Sequence, residues 1–295
     1  MKTSTMHEAY RGLLTELLHQ GVEEVNARTK VRIKMLQGAH SFKLDLGNGR
    51  LPLAGNRRYY PHVAAAEVAW QFMGTKDPSF ILGKAPKLWS KFVEDGELKT
   101  AYGYRWREAF GRDQLAMAME ELRTNPTNRQ LYISSWDPAH DGLGGPQPKN
   151  IPCPVGFTVS RFRDDLHMSV HIRSSDVFVG LPYDVMGYAL TLDAIAASVG
   201  CRPASVHFTL AHPHLYEPHW LAAKACTLGQ SDMDWREKKG LEHARTDWVT
   251  GCEPNLPGWS VEQVLRDPDG YVDIMRTLAK RVSYTSWDPL PEVIE

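Results

Sequence analysis

The chain carries no surplus of either charge: 34 Lys and Arg stand against 35 Asp and Glu in 295 residues. A near-balance of this kind gives no long-range attraction to nucleic acid or to an anionic membrane surface, so neither is expected as a partner. Cysteine is scarce and scattered. Cys153, Cys201, Cys226 and Cys252 show no close pairing and no Cys-x-x-Cys spacing. That sets aside a structural zinc site and a disulfide framework, and it points to a reducing, cytoplasmic setting. No apolar run approaches the roughly 20 residues of a membrane span, and MKTSTMHEAYRGLL lacks the uninterrupted apolar core of a secretory signal. Repeats and low-complexity segments are also missing. Core-forming material is plentiful: 42% of the residues are hydrophobic and nine are Trp, enough for one large domain or two small ones.

Periodicity predicts a chain of alternating helices and strands, an α/β (α+β) class. Tyr10, Leu13, Leu14, Leu17 and Leu18 recur at helical spacing over 8–20, with Gly21 as a stop. A polar turn at 26–30 leads to a strand over 31–35, and 41–53 alternates Phe42, Leu44 and Leu46 before a Gly-Asn-Gly turn. Residues 61–73 form a helix with Val63, Ala66, Trp70 and Met73 on one stripe, and 114–123 form another. Strands follow at 130–135 and 155–163. The second of these turns through Asp164-Asp165 into a strand where Leu166, Met168, Val170 and Ile172 alternate with polar residues. Gly180-Leu181-Pro182 opens a helix that ends at Gly200, with Asp184 in its first turn. A strand over 205–210 and a helix over 220–228 complete the readable part.

Several side chains stand out against this frame, each with an ordinary alternative. Arg173-Ser174, at a strand end, sets a guanidinium fork beside a hydroxyl, both suited to an anion. Glu67 intrudes on an apolar helical stripe; it is either a polar border residue or a partly buried carboxyl with a raised pKa. Cys153 follows a Pro at a strand entrance, and a lone Cys is more often inert than nucleophilic. His212-Pro213-His214 lacks a third ligand at characteristic spacing, so no metal is expected.

Arg173-Ser174-x-Asp176-x-Phe178-x-Gly180-Leu181-Pro182-Tyr183-x-x-x-x-Tyr188-x-Leu190 resembles the nucleotide-binding signature of the thymidylate synthases and their pyrimidine hydroxymethylase relatives. The resemblance covers 8 to about 225 and is strongest from 129 to 217. It implies one catalytic domain over 1–295, built as a large twisted mixed sheet flanked by helices, with a sheet face at a homodimer interface. It makes Cys153 the nucleophile, although the synthases have His where Pro154 follows. It gives Glu67 and Tyr102 (in Tyr-Gly-x-x-Trp-Arg) proton-handling roles at the pyrimidine ring. Arg28, Arg173 and Ser174 would take the substrate phosphate. Arg129 would reach across the dimer to the partner's phosphate, with Gln130 where a second Arg is usual. His214 and Tyr216 would hold the sugar hydroxyl. Trp89, Asp176 and Gly180 would bind the folate, 5,10-methylenetetrahydrofolate as co-substrate. The tail, Pro289 to Glu295, does not match the synthases' apolar one.

One position departs from the synthases in a way that bears on the substrate. Where they carry Asn, this chain has Asp184, as the cytidylate-specific branch does. A carboxyl can accept from the cytosine N4 amino group and share a proton with N3, whereas an Asn amide matches uracil. Considered alone, Asp184 is an acidic residue near a helix N-terminus, favourable there in any case. The resemblance therefore implies a CMP or dCMP 5-hydroxymethyltransferase. The alternatives are a methyltransferase that uses the folate as reductant, a thymidylate synthase on dUMP, or a non-catalytic nucleotide binder.

Overall fold

The computed structural model describes residues 3–54, 59–144, 148–227 and 254–279. Its strands in chain order are β1 (Thr3–Ser4), β2 (Val22–Val25), β3 (Arg32–Met35), β4 (His40–Asp45), β5 (Tyr132–Ser134), β6 (Pro154–Phe162), β7 (Asp165–Ile172), β8 (Ser175–Asp176), β9 (Arg202–Leu210) and β10 (Pro213–Tyr216). The helices are α1 (Met6–Gln20), α2 (Pro61–Met73), α3 (Ser79–Lys84), α4 (Pro86–Trp89), α5 (Tyr102–Arg107), α6 (Gln114–Thr124), α7 (Gly180–Ser198) and α8 (Trp220–Thr227). Two closing helices follow, Val261–Arg266 and Pro268–Ala279.

The expected mixed sheet is present, but the strands divide into two sheets. A six-stranded sheet runs β1-β4-β9-β7-β6-β5, and a four-stranded sheet runs β2-β3-β10-β8. Each mixes parallel and antiparallel pairs. The split has a local cause. After Leu210 the chain bends away from β7, and Pro213–Tyr216 pairs with β3 and β8 instead. The β6–β7 hairpin follows its sequence pattern: Leu166, Met168, Val170 and Ile172 are buried, while Ser169 and His171 face out. Arg163 closes its turn in the left-handed region, at φ 56°.

Helix α1 starts at a capping box. Thr5 Oγ accepts from the Glu8 amide at 3.2 Å, and Glu8 accepts from the Thr5 amide at 2.8 Å. Its buried stripe, Met6 to Leu17, includes Tyr10, whose hydroxyl donates to Phe178 O at 2.9 Å, which ties α1 to the segment entering α7. Helix α7 is the crossover between the parallel strands β7 and β9. It is apolar on most sides rather than one, because β9 covers one flank, while α2 and Val261–Arg266 cover the others.

Helix α2 lies between two hydrophobic clusters. Ala64, Ala65, Val68, Ala69 and Phe72 belong to the main core. Ala66 and Trp70 face a second, smaller one with Ile81, Trp89, Leu98 and Val272, and Val63 and Met73 pack at its edge. Glu67 is thus placed at the seam. Helix α5 sits directly on the backbone of α2 because Gly103 has no side chain: a Cβ there would lie 1.9 Å from Gln71 O. Arg105 on α5 forms a buried bidentate pair with Asp141, at 2.7 and 3.1 Å, and also donates to Ser135 O at 3.1 Å. That pair clamps the loop leading toward Cys153 against the helix that carries Tyr102. Among the described residues, no helix is long and apolar enough to cross a membrane.

Candidate active site

A cavity of about 970 Å³ opens where α2, α4, α5, the Cys153 loop, β8 and the start of α7 meet. That is ample for a nucleotide-sized ligand with a second molecule beside it. Cys153 stands at the entrance of β6, with the Arg173 guanidinium behind it. Arg173 Nε donates to Pro152 O at 2.8 Å and Nη2 to Ile151 O at 2.9 Å, with Nη2 4.0 Å from Cys153 Sγ. The arginine expected to take a phosphate therefore also fixes the loop that presents the thiol. Burial pushes the Cys153 thiol up, and Arg173 pulls it part of the way back. The cation lies close to the thiol, but desolvation outweighs it.

Tyr102, at the start of α5, receives a hydrogen bond from the Cys153 backbone amide. Burial, reinforced by the nearby Cys153 and Asp184, holds its phenol well above the usual range. Glu67 enters from α2, where its carboxyl accepts from Trp89 Nε1 at 2.8 Å. Burial pushes Glu67 up to about 7, opposed by that indole bond. Because α7 begins at Gly180, Asp184 is past its first turn and not in it, so the helix N-terminus is not its main influence. Burial pushes it up to about 8, helped by the negative charges of Glu67 and Asp176. Asp184, the higher of the two, therefore keeps its proton at neutral pH, where Glu67 is poised to gain or lose one.

The adjacent wall is built on strand register. β8 runs parallel to β10 with Ser175 opposite Pro213 and Asp176 opposite His214. Asp176 Oδ1 accepts from the amides of Phe178 and Val179, at 3.0 and 3.2 Å, which turns the chain into α7. His214 Nδ1 donates to His212 O at 3.1 Å, which leaves Nε2 as the ring's acceptor. The Tyr216 ring meets it edge-on at 5.2 Å. Arg28 reaches the Tyr216 hydroxyl from the turn at 26–30, and its charge is felt at Cys153. The turn is shaped by Asn26, whose Oδ1 accepts from the amides of Arg28 and Thr29, both at 3.0 Å.

The fold thus gathers Cys153, Glu67, Tyr102, Asp184, Asp176, Arg28, Arg173, Ser174, His214, Tyr216, Trp89 and Gly180 around or beside one cavity. Arg129 is not among them. It is exposed on the turn ahead of the edge strand β5, outside the cavity's lining. The sequence reading missed two lining hydroxyls. Ser175 Oγ and Tyr188 OH, 2% and 5% exposed, have no hydrogen-bond partner among the described residues. Both lay within the Arg173–Leu190 signature, so the signal was present. Buried hydroxyls without a partner suit a cavity that receives a polar ligand or ordered water. Lys91, also lining the cavity, carried no sequence signal. Among the described residues, no group of three or more His, Cys, Asp or Glu is arranged to hold a metal ion.

Residues 8–231 match the sequence model of the thymidylate synthase family, most of the chain and every element that lines the cavity. With that match come folate-dependent one-carbon transfer to a pyrimidine nucleotide and methylenetetrahydrofolate as the co-substrate: the chain belongs to the thymidylate synthase family.

Proposed function

We propose that this member of the family converts a cytidine monophosphate, CMP or dCMP, to its 5-hydroxymethyl derivative. The observation that carries the reading is Asp184, a half-buried carboxyl that lines the cavity with Glu67, in the position where the uridylate enzymes have Asn. With its proton shared toward cytosine N3 and an oxygen accepting from N4, the pair holds wherever the shared proton sits. Both bases need that proton. The basic N3 of cytosine can take it up and keep it in the pair to higher pH, whereas uracil, with N3–H and O4, is matched only while the carboxyl itself holds it. Discrimination against uridylate should therefore tighten as pH rises through about 8.

Each remaining role follows from a side chain's surroundings. The Cys153 thiolate adds to C6 and makes C5 nucleophilic, with the Arg173 guanidinium 4.0 Å away to favour the anion. The folate supplies the one-carbon unit. Tyr102, held at the Cys153 amide and facing Glu67 and Asp184, takes the C5 proton. Glu67, poised at about 7, can hold and release a proton at working pH and order the water that completes the hydroxymethyl group. His214 and Tyr216 take the sugar, Arg28, Arg173 and Ser174 the phosphate, and Trp89, Asp176 and Gly180 the folate. The exposed position of Arg129 supports a homodimer in which it serves the partner's site.

A 5-fluorinated cytidylate tests the class of function, because fluorine cannot leave as the C5 proton does. With methylenetetrahydrofolate it should leave a covalent adduct on Cys153, visible by intact-protein mass and absent in Cys153→Ala. A pure nucleotide binder forms none.

A further inference from the structure

We propose that Trp89 is a positioning residue for Glu67, acting on the reaction through its indole N–H and not only as an aromatic surface for the folate. The inference rests on Glu67 being the acid–base group of the proposed reaction.

The geometry is specific. Indole has one donor and no acceptor, and that donor is 2.8 Å from Glu67 Oε1. The ring is 8% exposed and has little freedom to turn. Trp70 meets it at 5.3 Å and 61°, and Phe92 at 6.0 Å and 65°. Trp70 is in turn fixed by its own N–H, which donates to Asp77 O at 3.0 Å. The α4 turn that carries Trp89 starts at Pro86, in a conformation preset for a helix's first position. The result is a chain of locked rings whose last polar atom is aimed at one carboxyl.

Charge makes this donor consequential. Glu67 faces Asp184 from α7, with Asp176 behind it on β8, Tyr102 from α5, and Cys153 beyond. When ionised, each of these groups disfavours a Glu67 carboxylate. Lys87 and Lys91 line the same cavity, as does Lys84, which is paired with Asp269. The indole N–H is the hydrogen bond that favours the ionised form of Glu67, because a donor to a carboxylate lowers its pKa. Removing it should move Glu67 to higher pKa and loosen its rotamer, while the ring's packing stays.

The test needs no substrate at first. In the unliganded 15N-labelled protein, the Trp89 indole resonance should titrate with a midpoint near pH 7 and lose that dependence in Glu67→Gln. An indole shift that ignores pH, or keeps its midpoint in Glu67→Gln, overturns the proposal. Trp89→Phe then keeps an aromatic ring and removes the N–H. Its pH–kcat profile should move to alkaline pH, with kcat several-fold lower at pH 7 and the nucleotide KM unchanged. The Trp89→Phe/Glu67→Gln pair should be no slower than Glu67→Gln alone. A raised folate KM with an unmoved profile would make Trp89 an aromatic wall and nothing more. If the resonance titrates as expected and Glu67→Gln leaves turnover intact, the acid–base role of Glu67 fails while the contact stands.

Discussion

The two walls of the cavity are built by different means. On one wall, β8 and β10 fix Asp176 and His214 opposite each other by strand register, and the Arg173 guanidinium holds two carbonyls of the Cys153 loop. On the other, Trp89 and Phe92 on short helical turns are set by ring packing against Trp70 of α2, and one indole bond reaches Glu67. A hydrogen-bonded ladder specifies position to a fraction of an ångström and tolerates few substitutions. An aromatic cluster specifies volume, and volume-conserving changes disturb it less. The ladder side suits recognition of one base and one sugar, and the packed side suits an extended aromatic co-substrate.

That contrast can be broken at four places, in decreasing order of expected effect. Cys153→Ala should lower kcat by on the order of 10⁴-fold or more while nucleotide affinity stays within a few-fold, read by turnover and by calorimetric titration. Glu67→Gln should lower kcat by about 10²–10⁴-fold and remove the ionisation near pH 7 from the rate profile. Asp184→Asn should swing the ratio of kcat/KM for cytidylate over uridylate by on the order of 10²-fold or more; an unchanged ratio would refute the base-reading role. Asp141→Ala should destabilise by about 3–5 kcal/mol, because it strands Arg105 as a buried unpaired charge. Thermal unfolding measures that loss, which belongs to the frame shared by both walls.

The carboxyl pair also predicts a pH trend in stability. Both groups have folded pKa values above their unfolded ones, about 7 for Glu67 and about 8 for Asp184. The folded state therefore binds more protons across that window. Stability should fall as pH rises from about 4 to about 8. Asp184→Asn should accordingly unfold at a higher temperature than the parent at pH 8, with the difference fading toward pH 4. That would place the strain at the reacting end of the cavity and not in its aromatic wall.

Legibility in the sequence divides along the same line. The β6–β7 hairpin and α7 could be read because alternation and helical spacing follow directly from burial. The Arg173–Leu190 signature brought most of the ladder-side wall with it. Strand β2, Val-Glu-Glu-Val, could not be read: all four residues are exposed, so no alternation marks it. The three short helices α3 to α5 are too brief for periodicity to show. The closing helix Pro268–Ala279 buries Tyr271, Val272 and Met275 against α2, yet no motif flags it. The Trp89–Glu67 contact spans 22 residues and exists only because α4 folds back over α2. The same is true of Arg173, whose grip on the Cys153 loop depends on the β6–β7 pairing. Trp235, Trp248 and the 289–295 tail lie outside the described residues.

The most direct test of the account is the product itself. CMP, dCMP, UMP and dUMP would be supplied separately with methylenetetrahydrofolate and the products weighed by mass spectrometry. The account predicts a hydroxymethyl group on a cytidylate with tetrahydrofolate released, and the reacting member of the pair names the sugar. A methyl group with dihydrofolate, or reaction with dUMP alone, would contradict it.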